Sequence, residues 1–150
     1  MTFLETIFEQ LRKADGSAVL REVRGEQIVS VTGAEFLELI CQARRFLAAR
    51  GLKKEDRCVL LAPNSIHWAA MDLAMMAEGI LVVPLYSRQA PAELVAMMQD
   101  CAASRIFCSN AQLAAEIKNL WPATPKVSIL DSVFTGEDGP QSAPYLHESS

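Results

Sequence analysis

Between residues 32 and 130 the chain alternates between stretches with helical spacing of apolar residues and short runs rich in apolar residues. Phe36, Ile40, Ala43 and Leu47 recur at i, i+4, i+7 and i+11, which predicts a helix with one apolar stripe. The short runs predict four strands, at 59–62, 81–86, 105–108 and 126–130. This alternation predicts an α/β fold, in which βαβ units build a parallel β-sheet with helices on both faces.

Three further helices are predicted between the strands. The helix over 65–78 is apolar almost all round, which predicts that it is covered on more than one side. Asp72 is its conspicuous polar residue, and we expect it to bond neighbouring backbone or an arginine. A second helix is predicted over 91–101. Ser109 and Gln112 have the spacing of a capping box for the third, which ends near Leu120.

The N-terminal part has different patterns. Leu4, Ile7, Phe8 and Leu11 predict a helix, and two β-rich runs around residues 24–26 predict a hairpin. Thr32 and Glu35 match a capping box for the helix that Gly51 ends. From residue 131 the composition shifts to Gly, Pro, Ser and acidic residues. These patterns predict a domain over 1–130 (helix and hairpin 1–31, βαβ core 32–130), with a linker or disordered tail over 131–150.

Composition excludes several classes of function. The net charge of −4 and the scattered Lys and Arg argue against a nucleic-acid partner. The four cysteines lack the spacing of a zinc site, so no metal site is predicted and small buried side chains explain them. The most apolar stretch, 69–86, is interrupted by Asp72, Glu78 and Pro84, which argues against an integral membrane span and favours a cytoplasmic protein.

Few residues carry recognisable chemistry. No glycine-rich phosphate-binding fingerprint is present, and His67 is expected to be an ordinary exposed or half-packed histidine. Two positions follow the carboxyl ends of predicted strands, where α/β proteins bind ligands. Arg88 suits a phosphate group, with a plain surface arginine as the alternative. Residues 63–65 are explained better as a helix cap than as a ligand site.

A series of short motifs runs along the chain. They are Thr32-x-x-Glu35-Phe36, Arg50-Gly51-Leu52, Asp56-Arg57-Cys58-Val59, Pro63-Asn64-Ser65, Trp68, Asp72-Leu73-Ala74, Gly79, Val82-Val83-Pro84-Leu85-Tyr86, Glu93-Leu94 and Asp100. In order and spacing, these motifs resemble the N-terminal portion of AMP-forming acyl-CoA synthetases, of the adenylate-forming ligase superfamily. The sequence of the second predicted strand is most similar to the long-chain fatty-acid–CoA ligase branch.

The resemblance implies a two-step reaction. A carboxylate, here expected to be a fatty acid, attacks the α-phosphate of ATP to give an acyl-adenylate, and a thiol, usually that of CoA, then displaces AMP. Magnesium shields the phosphate charge. In some of these ligases an arginine that matches Arg88 contacts the phosphates of the CoA nucleotide, so Arg88 is the one cofactor-binding residue that the resemblance implies; it implies no catalytic residue in this chain.

The family's Ser/Thr/Gly-rich loop, adenine motif, ribose-binding aspartate and C-terminal lysine have no counterpart here. We therefore expect an N-terminal piece of a ligase that is inactive by itself and uses no cofactor alone, although ATP, Mg²⁺ and CoA serve the full-length family. Its expected partners are the missing C-terminal part of the ligase or, through an exposed apolar patch, a second copy. The alternative is a non-catalytic, free-standing α/β binding or interaction module; a flavodoxin-like nucleotide binder is disfavoured.

Overall fold

A computed structural model describes residues 2–135 and the backbone of 147–149. The helices are α1 (Phe3–Ala14), α2 (Gly33–Ala49), α3 (Ile66–Ala77), α4 (Pro91–Asp100), α5 (Ala111–Leu120) and α6 (Ser132–Thr135). The strands are β1 (Ala18–Arg24), β2 (Gln27–Thr32), β3 (Arg57–Leu61), β4 (Leu81–Leu85), β5 (Arg105–Cys108), β6 (Lys126–Ile129) and β7 (His147–Ser149).

Four strands form a parallel sheet in the order β4-β3-β5-β6. The chain passes from β3 to β4 on one side and then returns to β5 on the other side, so the strand order reverses between β3 and β5. Each connection contains a helix, as parallel pairing requires. The predicted fold class, a parallel sheet of βαβ units, is confirmed.

Alternate residues of each strand face opposite helical layers. Leu60 and Phe107 belong to the buried cluster that contains residues of α2 and α3, whereas Leu61 and Ile106 belong to the cluster formed with α4 and α5. Because both faces are covered, apolar residues occupy both faces of the strands, as in buried parallel strands. The predicted arrangement with helices on both faces is therefore confirmed.

A second, antiparallel sheet has the order β1-β2-β7. Strands β1 and β2 form the predicted hairpin, and β2 also pairs with β7 in antiparallel register. Contacts between β1 and α3 join this sheet to the main domain. At the tip of the hairpin the cross-strand partners Val23 and Ile28 leave 75% and 50% of their surfaces exposed.

Helix α2 has the predicted ends. The backbone N–H of Glu35 donates to Thr32 Oγ1 at 3.1 Å, and the N–H of Thr32 donates to Glu35 Oε1 at 2.8 Å, so the capping box is confirmed. Gly51 has a φ of +75° just after the C-cap, a conformation that glycine adopts without strain. At the other end, a Cβ on Gly33 would collide with the carbonyl oxygen of Leu11, so α1 and α2 approach closely there.

The predicted capping box of α5 is wrong in detail. Asn110, not Ser109, is the N-cap, because its Oδ1 accepts from the backbone N–H of Leu113 at 2.8 Å. Asn is as good a cap as Ser, and sequence spacing does not separate adjacent candidates. Ile117 of this helix is fully buried, whereas Leu120 is 52% exposed because the helix ends there.

The packed part of the domain extends beyond residue 130, where the sequence predicts a linker or tail. Residues 132–135 form α6, in which Val133 and Phe134 are completely buried against α2 and β6. Residues 147–149 form β7. Although the composition changes at Asp131, the segment still contains Val133 and Phe134, and burial of these two side chains anchors one helical turn. Residues 136–146, the rest of the predicted tail, lie outside the described residues.

Among the residues that the structure describes, no helix has the length and apolar character needed to cross a membrane.

The four thiols differ in accessibility, and we expect them to differ in reactivity. Cys58 and Cys108 are buried as predicted, Cys101 is half-buried, and Cys41 is exposed, which corrects its prediction. Burial, together with the nearby Asp56 carboxylate, raises the pKa of the Cys58 thiol to about 12. Because the thiolate is the reactive form, iodoacetamide should alkylate Cys41 first and leave Cys58 unmodified until urea is added. Mass spectrometry of native and denatured samples measures this; rapid native labelling of Cys58 would contradict it.

Candidate functional site

A cleft of about 500 Å³ opens at the carboxyl ends of β3 and β4. Its walls come from the turn after β3, the first turn of α3 and the end of β4 with the loop that follows. We call it the Arg88 cleft. It is lined by Ala62, Pro63, Asn64, Trp68, Pro84, Leu85, Tyr86, Ser87 and Arg88. The structure therefore brings together Arg88 and part of the 63–65 turn, the two positions that the sequence singled out.

Arg88 lies in a turn closed by a 3.2 Å hydrogen bond from the N–H of Gln89 to the carbonyl of Tyr86. The side chain of Arg88 is exposed, and within residues 2–135 it makes no hydrogen bond or ion pair. Its guanidinium group can therefore bind an anion without first breaking an internal contact. Arginine suits phosphate because its planar fork can donate two hydrogen bonds to one group.

Around this cation the cleft is largely apolar. Tyr86 leaves 80% of its surface exposed beside Arg88, and the half-buried Trp68 lies on the opposite element, α3. The cleft therefore offers an exposed cation next to aromatic surface, an arrangement that suits an anionic ligand with a flat or apolar part.

In the 63–65 turn, one residue caps α3 and another lines the Arg88 cleft. Ser65 is the N-cap of α3, and its Oγ accepts from the backbone N–H of Trp68 at 3.0 Å, so the predicted cap is confirmed for this residue. Asn64 is exposed and lines the Arg88 cleft. The capping role thus lies with Ser65, and Asn64 is left facing the cleft.

Next to the Arg88 cleft, where the strand order reverses between β3 and β5, lies a smaller cavity of about 240 Å³. Its lining includes the charged residues Glu22 and Arg24 from β1 and Asp131 after β6. Arg24 Nε lies 2.9 Å from Glu22 Oε2. Sequence patterns do not predict this charged cluster, because the hairpin and the parallel sheet meet only in three dimensions. The one available signal is the position of Asp131 just after a predicted strand.

His67 is not the exposed or half-packed residue that the sequence predicts. It is 4% exposed, and its ring stacks on Phe134 with the centroids 4.2 Å apart and an interplanar angle of 11°. Its Nδ1 lies 2.6 Å from Asp131 Oδ1; because an ionised carboxylate only accepts, Nδ1–H is the donor. The buried Nε2 has no hydrogen-bond partner among the described residues. The apolar residues around it in α3 make burial of this position unavoidable.

Asp72 also differs from its prediction. Within the described part of the chain it makes no hydrogen bond or ion pair, and burial raises the pKa of its carboxyl group. Acid–base chemistry has no support there, because no partner that could exchange a proton lies beside it. In the same part of the chain, no group of three or more His, Cys, Asp or Glu side chains could hold a metal ion.

We expect Asp131 to make the free energy of unfolding of the domain depend on pH in the acidic range. The hydrogen bond from His67 lowers the pKa of Asp131, against the opposing effect of burial. A carboxyl group whose pKa is lower in the folded chain stabilises it above the unfolded value of about 3.9, and that contribution is lost as the pH falls through the folded-state pKa.

Urea unfolding of the wild type and Asp131→Asn at about pH 6 and about pH 3 tests this linkage. The wild type should be the more stable at the higher pH, and the difference between the two should shrink at the lower pH, because the stabilisation is lost as the pH falls from the unfolded value through the folded-state pKa. An equal difference at both pH values would contradict the proposed role of the ionised carboxylate.

Comparison with known proteins identifies the class. The family model described as AMP-binding enzyme matches residues 8–148. The chain therefore belongs to the AMP-binding enzyme family, as its motifs predict, and its α/β domain is the N-terminal portion of that fold.

One curated relative shows the similarity at the level of sequence. Long-chain-fatty-acid–CoA ligase FadD15 of Mycobacterium tuberculosis is 27% identical over 124 residues, which cover 81% of this chain and 21% of FadD15. The chain thus spans about a fifth of the length of this relative.

Two solved structures share the fold. VinN in complex with L-aspartate matches with a TM-score of 0.79 and 17% identity, covering 91% of this chain and 37% of VinN. The O-succinylbenzoate–CoA synthetase MenE of Bacillus subtilis, in complex with ATP and magnesium, matches with a TM-score of 0.71 and 15% identity, covering 94% and 36%. At these identities the two structures support the fold and leave the substrate open.

Proposed function

We propose that this chain is the N-terminal part of an ATP-dependent acyl-CoA synthetase and that it supplies the surface on which the nucleotide of CoA binds. The observation that carries this proposal is the Arg88 cleft, in which an exposed arginine with no side-chain partner among the described residues lies beside aromatic side chains at the carboxyl edge of the sheet. Family membership supports the proposed reaction class, and the position of Arg88 in the cleft supports the proposed contact.

The chemistry of the contact follows from charge. The CoA nucleotide carries several phosphate groups, and a guanidinium–phosphate pair at an exposed edge combines Coulomb attraction with bidentate hydrogen bonding. An exposed pair is screened by solvent, so the expected contribution is that of one moderate charge-assisted contact. Arg88 is accordingly a binding residue, and the bond-making steps need groups beyond those that the described residues supply.

For the substrate we propose a fatty acid, activated with ATP and Mg²⁺ as an acyl-adenylate. The support is the similarity to FadD15, whose name gives long-chain fatty acids as its substrates. The cytoplasmic location and the two expected partners, the remainder of a ligase or a second copy, stay predictions. The alternative of a non-catalytic binding module shares the fold, and binding of CoA alone would not separate it from a ligase part.

Substitution of Arg88 tests the proposal. In isothermal titration of the 150-residue chain with CoA, Arg88→Ala should weaken binding about tenfold, because one charge-assisted hydrogen-bonded contact contributes about 1.5 kcal/mol. Arg12→Ala is the matched control, since Arg12 is an exposed arginine on α1 that does not line the cleft and has no ion pair with a described residue. This variant should bind CoA like the wild type.

Pantetheine, which lacks the nucleotide, provides the second control and should not compete with CoA for the cleft. Equal affinity of wild type and Arg88→Ala for CoA would contradict the proposal. A tenfold loss in Arg12→Ala as well would also contradict it, because it would show that net charge rather than the cleft governs binding.

A further inference from the structure

The first turn of α3 is held by two carboxylates from distant parts of the chain. The backbone N–H of Ile66 donates to Glu22 Oε1 on β1 at 2.8 Å. At the next position, His67 donates to Asp131, which follows β6, at 2.6 Å. The third residue of the same turn is Trp68, a wall of the Arg88 cleft.

The helix does not need both contacts to begin. Ser65 already caps it through the N–H of Trp68, so the Glu22 contact is an additional bond to one of the N–H groups that a helix terminus leaves free. Glu22 is itself held by Arg24, whose Nε lies 2.9 Å from the second carboxylate oxygen. The hairpin is thus attached to α3 by a hydrogen bond to a carboxylate that Arg24 holds in place, and not by apolar packing alone.

Glu22 is ionised in this setting. Burial acts to raise the pKa of its carboxyl group, but the hydrogen bonds from Arg24 and from the backbone of Ile66, together with the Arg24 charge, outweigh burial and leave the pKa lowered. The contact to Ile66 is therefore a charge-assisted hydrogen bond, of the stronger kind.

On its other side the turn is joined to α6. Phe134 stacks on the His67 ring, and the Phe134 carbonyl accepts from Nε2 of Gln42 on α2 at 3.1 Å. The segment from Asp131 to Phe134 is therefore fixed to α2 and to α3 at once. A displacement of α6 cannot leave the His67 contact unchanged.

Trp68 separates the hairpin from the ligand cleft. It lines the Arg88 cleft and also a groove of about 290 Å³ whose other walls include Leu20, Arg21 and Glu22 of β1. Asn64 likewise lines both spaces. One wall of the cleft is therefore shared with the space beside the hairpin, and its position depends on how the first turn of α3 is held.

We propose that Glu22 and Asp131 are positioning residues for the Arg88 cleft: by holding the first turn of α3, they couple the hairpin and α6 to Trp68 and hence to ligand binding. The affinity for CoA then depends on residues that do not touch CoA. This coupling rests on the proposed function; the position of Trp68 can be measured without it.

The test uses the ¹⁵N-labelled chain, which has two tryptophans, Trp68 and Trp121. In Glu22→Ala and in Asp131→Ala, the indole N–H resonance of Trp68 should shift while that of Trp121 stays in place, and the affinity for CoA should fall at least about threefold. Glu22→Gln keeps an acceptor for the N–H of Ile66. It should therefore keep the Trp68 resonance and the affinity for CoA close to their wild-type values. Glu26→Ala is the matched control, because Glu26 is an exposed acid on the same hairpin whose side chain makes no hydrogen bond or ion pair with the described residues.

Failure of the positioning role and failure of the proposed function give different results. If both alanine variants keep the wild-type Trp68 resonance, or shift it without weakening CoA binding, the positioning role is refuted. If the wild type does not bind CoA at all, the proposed function fails, and the Trp68 resonance alone then decides whether the two carboxylates hold the turn. Should an alanine variant fail to fold, as judged by circular dichroism, Glu22→Asp, whose shorter side chain cannot keep the same bond to the N–H of Ile66, and Asp131→Asn provide the same comparison with smaller expected shifts.

Discussion

Incubated with ATP, magnesium and palmitate, the 150-residue chain should release no pyrophosphate above a no-protein control. Adenylate formation requires donors that stabilise charge on the α-phosphate, and such donors are commonly backbone N–H groups of a glycine-rich loop with a nearby cation. The seven glycines never occur in GxGxxG or GxxxxGK[ST] spacing; they are Gly16, Gly25, Gly33, Gly51, Gly79, Gly136 and Gly139.

A coupled pyrophosphate assay, with a full-length acyl-CoA synthetase as positive control, makes this expectation measurable. Because a missing set of phosphate donors removes several orders of magnitude of rate, the difference between the two samples should be complete within the sensitivity of the assay. Pyrophosphate release that scales with the concentration of the chain would show that the chain forms the acyl-adenylate by itself, and would contradict the prediction.

The second large effect concerns stability. Phe134→Ala should lower the free energy of unfolding by about 3–5 kcal/mol, the usual cost of removing a buried phenylalanine. Phe134 is completely buried and stacks on His67, although the composition of its neighbourhood suggested a tail. Urea unfolding monitored by circular dichroism gives the value directly. For a domain of ordinary stability, this is a large share of the total.

Phe3→Ala is the matched control for this experiment. Phe3 is 72% exposed at the start of α1, so its replacement should change the free energy of unfolding by less than about 0.5 kcal/mol. If Phe134→Ala were as mild as Phe3→Ala, α6 would not be part of the packed domain, and the coupling of α6 to α3 would lose its basis as well.

Much of the fold could be predicted from local patterns. The strand β5 was predicted with its observed bounds, and the capping box of Thr32 and Glu35 was predicted to its individual hydrogen bonds. These features depend on residues within four positions of one another, where the sequence itself fixes the geometry. The location of Arg88 was also predicted in this way, because a loop that follows a strand lies at the carboxyl edge of a parallel sheet.

The features that escaped prediction depend on contacts between distant segments. His67 and Asp131 are 64 residues apart, and Glu22 lies 44 residues from Ile66. The packing of the two sheets determines which hairpin residue faces the first turn of α3. A local sequence pattern cannot predict this. The burial of Phe134 escaped for the same reason, since two apolar residues in a polar stretch carry no periodic signal.

The central claim, that this scaffold binds the nucleotide of CoA at Arg88 but does not bind ATP productively, is tested most directly by one NMR experiment. A ¹⁵N-labelled sample is titrated with CoA, and a second sample with Mg·ATP at the same concentrations. CoA should shift the backbone amides of Ser87, Arg88 and Gln89 to saturation, whereas Mg·ATP should leave them near their starting positions. Saturable shifts with Mg·ATP, or none there with CoA, would contradict the account.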